Sequence, residues 1–227
     1  MKTNQEYKNA ALAALKGKWA PAVVVSIIYL IISIAVSSLS GVYDENTMTA
    51  NAALSLMGAS FVFSIFLSIP MGVGFYNTYK ELAVNGDDNC TANMFKTGFG
   101  RYFHNIWGML LMGIFVFLWM LLLIIPGIVK AFAYALTPYI LVDYPELSAN
   151  EAINLSKNMM KGHKFDYFCL GLSFIGWGLL AVLTCGIGFI WFMPYYYTTM
   201  AEFYQDVKAE YELKTNNITG HRTKCIM

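Results

Sequence analysis

A long apolar segment, interrupted once by a Pro-Gly pair, most strongly constrains how this chain can fold. Residues 119–143 read WMLLLIIPGIVKAFAYALTPYILVD, so two apolar runs meet at Pro126 and Gly127 with no polar loop between them. Proline lacks a backbone N–H and glycine weakens helices, so the pair predicts a turn between two helices. Apolar helices joined by such a turn are typical of a helical hairpin at or within a membrane surface.

The composition of the whole chain also favours a membrane protein. Of the 227 residues, 57% are hydrophobic and 13% are charged, whereas soluble domains carry roughly a quarter charged residues. The formal net charge of +1 gives no basis for nucleic-acid binding. We therefore predict an all-α protein that forms a single integral membrane domain over residues 1–227.

Six apolar segments are predicted as membrane-spanning helices, because helices satisfy their own backbone hydrogen bonds in lipid. They pair into three hairpins, formed by residues 20–39 and 53–76, 106–125 and 128–142, and 165–183 and 187–204. The fourth segment is short: its 15 residues rise about 23 Å, less than the roughly 30 Å hydrocarbon core. It therefore either dips into the bilayer or continues past Asp143.

Two short amphipathic helices are predicted at the membrane interface. Residues 4–16 place Tyr7, Ala11 and Leu15 on the face opposite Glu6 and Lys8. Residues 148–151 read SANE, a capping-box pattern that predicts a helix ending near residue 161. Residues 77–105 are predicted to be a polar connection, and residues 205–227 a polar cytoplasmic tail that frays at its end.

The distribution of basic residues predicts the orientation. With six spans, all but one of the fifteen Lys and Arg residues fall on the side of the two termini, and Lys130 alone falls on the other side. Basic residues accumulate on the cytoplasmic side of membrane proteins. Both termini are therefore predicted to be cytoplasmic.

A similar order of features occurs three times, in residues 4–82, 91–143 and 147–204. Each unit has a Gly-basic-aromatic junction before its first span and a proline in its second span, at Pro70, Pro138 and Pro194. The junctions are Gly17-Lys18-Trp19, Gly100-Arg101-Tyr102 and Gly162-His163-Lys164-Phe165. Either an internal repeat or the usual composition of membrane boundaries accounts for this pattern.

Several stretches resemble a bacterial integral-membrane family known as domain of unknown function 975. They are residues 118–143, 148–153, 160–164, 172–177 and 186–195, and residues 15–19 resemble the opening of that family. The resemblance implies a multi-pass protein of the bacterial cytoplasmic membrane. It implies no activity and no catalytic residue.

Two sets of residues are candidates for function. The first is a basic and aromatic collar that either attracts anionic lipid headgroups or only sets the topology: Lys18, Trp19, Arg101, Tyr102, Lys161 and Lys164. The second contains intramembrane polar or kink positions: Pro70, Lys130, Pro138, Asp143 and Pro194. Lys130 is either an interfacial anchor or a ligand-binding group. Asp143 is either a functional carboxylate or a solvated or salt-bridged helix end.

These patterns favour a non-enzymatic membrane protein that binds lipid or a membrane partner in an envelope-associated role. The alternative is a small transporter or channel subunit whose proline-broken helices line the path. An intramembrane enzyme has the least support, because no catalytic, cofactor-binding or metal-binding motif is found. The expected partners are membrane lipids and either a membrane protein or further copies of this chain.

Overall fold

The computed structural model describes the backbone of residues 1–39, 50–184 and 186–224, and the side chains of residues 1–35, 62, 65–184 and 186–216. The described part is helical and contains no strand, which confirms the all-α class. Its helices are α1 (Asn4–Leu15), α2 (Trp19–Leu39), α3 (Ala50–Val84), α4 (Cys90–Gly100), α5 (Tyr102–Leu122), α6 (Ile124–Tyr134), α7 (Thr137–Asp143), α8 (Ala149–Met159), α9 (Lys164–Leu172), α10 (Ile175–Leu183) and α11 (Phe189–Lys224).

Three segments of the described chain are long and apolar enough to cross a membrane. They are Tyr102–Leu122, Ile124–Asp143 and Lys164–Leu183. A fourth is added if Asn4–Leu15 and Trp19–Ala35, which are bent by 100° at the break between them, form one span. These segments are compatible with a membrane protein.

Both predicted amphipathic helices are present, and each begins with a capping box. Thr3 and Glu6 cap α1, and Ser148 and Glu151 cap α8. Each box satisfies backbone N–H groups that the first turn of a helix leaves free. One expectation for α1 is wrong: Lys8 does not face outward, because its Nζ donates to the Ser173 carbonyl oxygen at 2.8 Å and lies over the Phe174 ring.

The turn in the apolar hairpin lies at Leu123, not at the predicted Pro126-Gly127 pair. Leu123 is extended, with φ −160° and ψ 133°, and α6 begins directly after it. Pro126 therefore stands in the first turn of α6, where a missing N–H breaks no helical hydrogen bond. Gly127 lets α6 approach α5, since a Cβ there would lie 2.7 Å from the Met120 Cα.

The second run of this hairpin is two helices rather than one. α6 ends at Tyr134 and α7 begins at Thr137 with Pro138 in its first turn, but together they form the single candidate span Ile124–Asp143, which contains the predicted span 128–142. α7 ends at Asp143, which decides against a helix that continues past that residue. A similar break at Ser173 separates α9 from α10.

The region predicted as a polar connection is largely helical. α3 continues past residue 76 to Val84, and residues 90–100 form α4, which sequence reasoning missed. The two helices meet through glycine: a Cβ on Gly74 would lie 2.0 Å from the Met94 carbonyl oxygen, and one on Gly98 would lie 2.6 Å from the Pro70 carbonyl oxygen. Thr78, which this contact buries, donates to the Gly74 carbonyl oxygen at 2.9 Å.

The last helix forms the centre of the core and joins the two ends of the chain. α11 runs through the predicted tail, and Val207 is fully buried. α1 packs on it: the Tyr7 hydroxyl donates to Asp206 Oδ2 at 2.7 Å, and the Tyr7 and Phe203 ring centroids are 5.6 Å apart. Burial alone would raise the pKa of Asp206, but the hydrogen bonds from Tyr7 and from the Lys2 backbone hold that pKa below its ordinary value.

Candidate functional site

The predicted collar residues occupy three separate junctions with different partners. Lys18 donates from its Nζ to the carbonyl oxygen of Gly86, in the α3–α4 turn. Arg101 donates to the carbonyl oxygen of Pro145, in the α7–α8 turn. Lys161 is exposed in the α8–α9 turn, and Lys164 begins α9. The basic residues of the three junctions therefore contact different parts of the fold, and the described contacts do not assemble them into one cluster.

Trp19 lies in an apolar cleft between α1, α2, α10 and α11. The cleft has a volume of about 330 Å³, and its walls include Leu12, Trp177, Leu180, Trp191 and Phe192. Trp177, Leu180 and Trp191 each expose more than half of their surface. The cleft therefore opens along α10, the second half of the candidate span Lys164–Leu183.

The polar atom nearest the floor of this cleft already has partners. Thr184 Oγ1 donates to the Ala181 carbonyl oxygen at 2.8 Å and accepts from the Gly188 backbone N–H at 2.8 Å. Gly188 is needed for this arrangement, because a Cβ there would lie 2.7 Å from the Ala181 Cα. The cleft therefore suits an apolar occupant better than a polar one.

Two candidate residues, Pro70 and Tyr102, act on the same backbone carbonyl group. Pro70 lies inside α3 and has no N–H for the carbonyl oxygen of Phe66, one turn earlier. The Tyr102 hydroxyl donates to that carbonyl oxygen at 2.7 Å, and its ring stacks on the Phe66 ring. The aromatic residue at this junction thus replaces a hydrogen bond that the proline removes.

Of the other two prolines, Pro194 resembles Pro70 in its position within a helix, and Pro138 does not. Pro194 lies inside α11 and is buried, as Pro70 is in α3, whereas Pro138 is in the first turn of α7. Tyrosine rings pack between these two helices: Tyr139 stacks on Tyr204 at 4.9 Å, and Tyr76 contacts both Tyr139 and Tyr197. The region around Pro138 and Pro194 is therefore filled with aromatic side chains.

Lys130 contacts an aromatic ring of the neighbouring helix. Its Nζ lies 4.4 Å from the centroid of the Trp119 ring, a cation–π contact with α5. α6, which carries Lys130, packs against α8, where the Ser156 hydroxyl donates to the Ala133 carbonyl oxygen at 2.9 Å. The location of Lys130 on the side of the membrane opposite the other basic residues stays a prediction.

Asp143 is the centre of a partly buried charge cluster. Its Oδ1 pairs with Lys80 Nζ from α3, and its Oδ2 accepts from Lys208 Nζ at 2.7 Å and from the Tyr204 hydroxyl at 2.8 Å, both in α11. The side chains of Lys80 and Asp143 are only 7% and 10% exposed. This geometry supports the salt-bridged alternative for Asp143 and makes it a link between three helices.

The link to Asp143 stabilises the charged form of Lys208, although Lys208 is partly buried. Burial would lower the pKa of Lys208, but the hydrogen bond and the negative charge of Asp143 outweigh it and raise that pKa. The Lys208 Nζ also lies 4.9 Å from the Tyr144 ring centroid. Lys208 therefore stays charged and fixed against α7.

Sequence reasoning missed Lys80, Tyr204 and Lys208 as partners of Asp143, because it placed them in the polar connection, at the end of the sixth predicted span and in the polar tail, respectively. Two signals were available. Phe75, Tyr79 and Leu82 continue a helical apolar pattern past residue 76. Tyr204 and Lys208 are four residues apart and therefore share a helix face. Their common partner Asp143 lies more than 60 residues away from each, and no local pattern identifies it.

Comparison with known proteins gives one match. Residues 108–211 match the family described as protein of unknown function (DUF975). We call residues 108–211, which are similar to this family, the DUF975 segment. The resemblance noted in the sequence is thereby confirmed as to the family, and no curated protein or solved structure gives a significant match.

The DUF975 segment contains part of each feature described above. Asp143, Tyr204 and Lys208 lie within it, whereas Lys80 does not; likewise Trp177 and Trp191 lie within it, but Trp19 does not. Both the charge cluster and the apolar cleft are therefore completed by residues from the N-terminal half of the chain.

The shared carbonyl group of Phe66 predicts an energetic coupling between Tyr102 and Pro70. Tyr102→Phe should lower the free energy of unfolding by about 1 kcal/mol, because the carbonyl loses its donor. In a Pro70→Ala background the same change should have almost no effect, because residue 70 then supplies an N–H. Thermal unfolding in detergent of the two single variants and the double variant measures the coupling. Equal losses in both backgrounds would contradict this assignment.

Neutralising Asp143 should destabilise the DUF975 segment strongly. Asp143→Asn removes the carboxylate that Lys80 and Lys208 share and leaves Glu81 as the remaining counter-charge of Lys80, so the cost should be at most about 3–5 kcal/mol. Glu146→Gln is the matched control, because Glu146 is an exposed carboxylate three residues further along, and it should change stability by at most about 0.5 kcal/mol. The midpoint of thermal unfolding in detergent distinguishes the two. Similar midpoints for both variants would show that the cluster does not hold the helices together.

Proposed function

We propose that this protein is a non-enzymatic, multi-pass protein of the bacterial cytoplasmic membrane that binds lipid. The observation that carries the proposal is the apolar cleft beside Trp19, lined by three tryptophans and open along a candidate membrane span. An acyl chain fits such a surface, because burying apolar area is favourable and the lining offers little to a polar ligand.

The residues at the mouth of the cleft are suited to a lipid. Lys16 and Lys18 lie three and one residues before Trp19 in the sequence; Lys16 is exposed, whereas Lys18 Nζ donates to the Gly86 carbonyl oxygen. A basic residue near an anionic leaflet contributes about 1 kcal/mol to the attraction of lipid headgroups. Tryptophan is itself enriched where the hydrocarbon core meets the headgroups. An envelope-associated role in lipid organisation is consistent with these features.

We further propose six membrane spans with both termini in the cytoplasm. The contact of α1 with α11, through Tyr7 and Asp206, supports a common side for the two ends of the chain. α3 and α11, with 35 and 36 residues, extend about 52–54 Å and are longer than a span requires. The excess of basic residues in the connections favours the cytoplasm for that side.

The alternative, a small transporter or channel subunit, has less support. A transport path needs a polar cavity near the middle of the bilayer, at the discontinuous helices. Near Pro138 the ring of Tyr139 packs against the Tyr76 ring, which also contacts Tyr197, and these aromatic contacts do not favour a polar path. Binding of a membrane protein or of a second copy of the chain in the cleft is tested by the same experiment as lipid binding.

Filling the cleft should reduce acyl-chain binding. Leu180→Trp places a larger side chain in the wall, whereas Leu179→Trp changes the neighbouring residue, which is equally apolar, similarly exposed and not in the wall. Photo-crosslinking with a phospholipid that carries a diazirine in its acyl chain, followed by peptide mapping, should show at least a threefold loss in Leu180→Trp alone. Labelling that is equal in both variants, or that falls on a copurifying protein instead, would reject the proposal.

The topology predicts which cysteines are accessible from outside. In a variant whose natural cysteines other than Cys225 are replaced by serine, a membrane-impermeant maleimide should label Asp44→Cys in intact cells. Cys225 should react only after permeabilisation, because the C-terminus is cytoplasmic. Asp44 and Cys225 lie outside the described residues, so this test depends on topology alone. Labelling of Cys225 in intact cells would overturn it.

A further inference from the structure

A polar pocket lies on a different part of the molecule from the apolar cleft. It has a volume of about 320 Å³ and is enclosed by α3, α4, α7 and the beginning of α5. The side chains that matter here are Asn77, Glu81, Lys96, Thr97 and Arg101. The pocket stands where the candidate span Tyr102–Leu122 begins, which is the level of lipid headgroups if that helix crosses a membrane.

The charges around the pocket favour an anion. Lys96 is exposed, and it has no hydrogen-bond or ion-pair partner among the described residues. Arg101 donates one hydrogen bond to the Pro145 carbonyl oxygen, which holds the guanidinium at the wall and leaves further N–H donors. Glu81, the carboxylate at the pocket, is already 3.3 Å from the Lys80 Nζ. Lys80 is shared with Asp143, so Glu81 keeps part of its charge, but the two cations Lys96 and Arg101 outnumber it at the pocket.

The backbone adds to this preference. α5 begins at Tyr102, directly after Arg101, and no side chain caps its first turn. The free N–H groups at the start of a 21-residue helix attract negative charge, and Gly100 and Arg101 at the pocket wall bring an anion to that position. The helix end is only an additional contribution, because the two cations supply the main attraction.

Asn77 indicates that the anionic ligand also carries a hydrogen-bond donor. Its side chain is 5% exposed, and its Nδ2 donates to Thr97 Oγ1 at 2.8 Å. Its Oδ1 is buried and has no hydrogen-bond donor. A buried acceptor without a donor is costly, and a ligand hydroxyl group would remove that cost.

We propose that this pocket binds a phosphate ester with a neighbouring hydroxyl group, of the glycerol phosphate type. Lys96 and Arg101 bind the phosphate oxygens, the Arg101 guanidinium being suited to bidentate contact. Asn77 Oδ1 accepts a hydrogen bond from the hydroxyl group. The same chemistry occurs in free glycerol phosphate and in the headgroup of phosphatidylglycerol. The pocket shares no wall residue with the apolar cleft, so it does not depend on acyl-chain binding there.

The test compares charge reversal at the pocket with charge reversal elsewhere. The full-length protein is placed in phosphatidylcholine nanodiscs and titrated with glycerol phosphate by isothermal titration calorimetry. In a second arm, native mass spectrometry measures the phosphatidylglycerol retained from nanodiscs that contain it. Lys96→Glu should weaken binding at least tenfold in whichever arm the wild type binds. Lys161→Glu, which reverses an exposed lysine in the α8–α9 turn, should stay within twofold.

A second comparison separates the hydroxyl contact from the phosphate contact. Wild type should bind glycerol phosphate at least fivefold more tightly than methyl phosphate, and Asn77→Ala should abolish this preference while methyl phosphate binding persists. Binding of the soluble ester assigns a free ligand, and binding of phosphatidylglycerol alone assigns a lipid headgroup. Binding in neither arm, or equal binding by Lys96→Glu and Lys161→Glu, would overturn the proposal. Leu180→Trp should leave the binding of glycerol phosphate in the first arm unchanged, because this soluble ester has no acyl chain, so failure of this inference is distinct from failure of acyl-chain binding.

Discussion

The pairing of one carboxylate with two lysines fixes the arrangement of the longest helices. Asp143 ends α7, and its two oxygens hold Lys80 of α3 and Lys208 of α11. Because a buried charge is tolerated only with its counter-charge, α3 and α11 cannot slide along α7 without separating these groups. The tyrosine rings beside the cluster, such as the stacked pair Tyr139 and Tyr204, depend on the same registration. The cluster thereby connects the DUF975 segment to α3, which lies outside it.

Backbone satisfaction is the second constraint. A proline inside a helix leaves the carbonyl oxygen one turn earlier without its usual N–H donor, so that oxygen needs a donor from elsewhere. At Pro70 the Tyr102 hydroxyl is that donor. Tyr102 was selected from the sequence as a headgroup-flanking aromatic residue, and the structure gives it this internal role as well. Arg101 points its guanidinium to Pro145, so adjacent residues of one junction serve two different parts of the fold.

Local patterns in the sequence predicted the helical class, the capping box at Ser148 and the apolar run around Pro126, whereas the capping box at Thr3 was found only in the structure. They failed where a local signal competed with tertiary contacts. Pro126 and Gly127 suggested a turn, but the chain turns at Leu123 because proline is accepted in the first turn of α6. Residues 77–105 looked solvated, yet Gly74 and Gly98 allow α3 and α4 to approach and bury Thr78 between them. Of the candidate site residues, Trp19 lies in the apolar cleft and Asp143 in the charge cluster. The partners of Asp143 could not be predicted, because they are more than 60 residues away in the sequence.

The contact between the first and last helices has a consequence for how the chain matures. Tyr7 of α1 is buried against Phe203 and Asp206 of α11. On a ribosome, α1 is made well before α11, because α2 to α10 lie between them in the sequence. The surface of α1 around Tyr7 therefore lacks its partner until α11 has been synthesised. Docking of α1 on α11 is thus a late event in the folding of this chain.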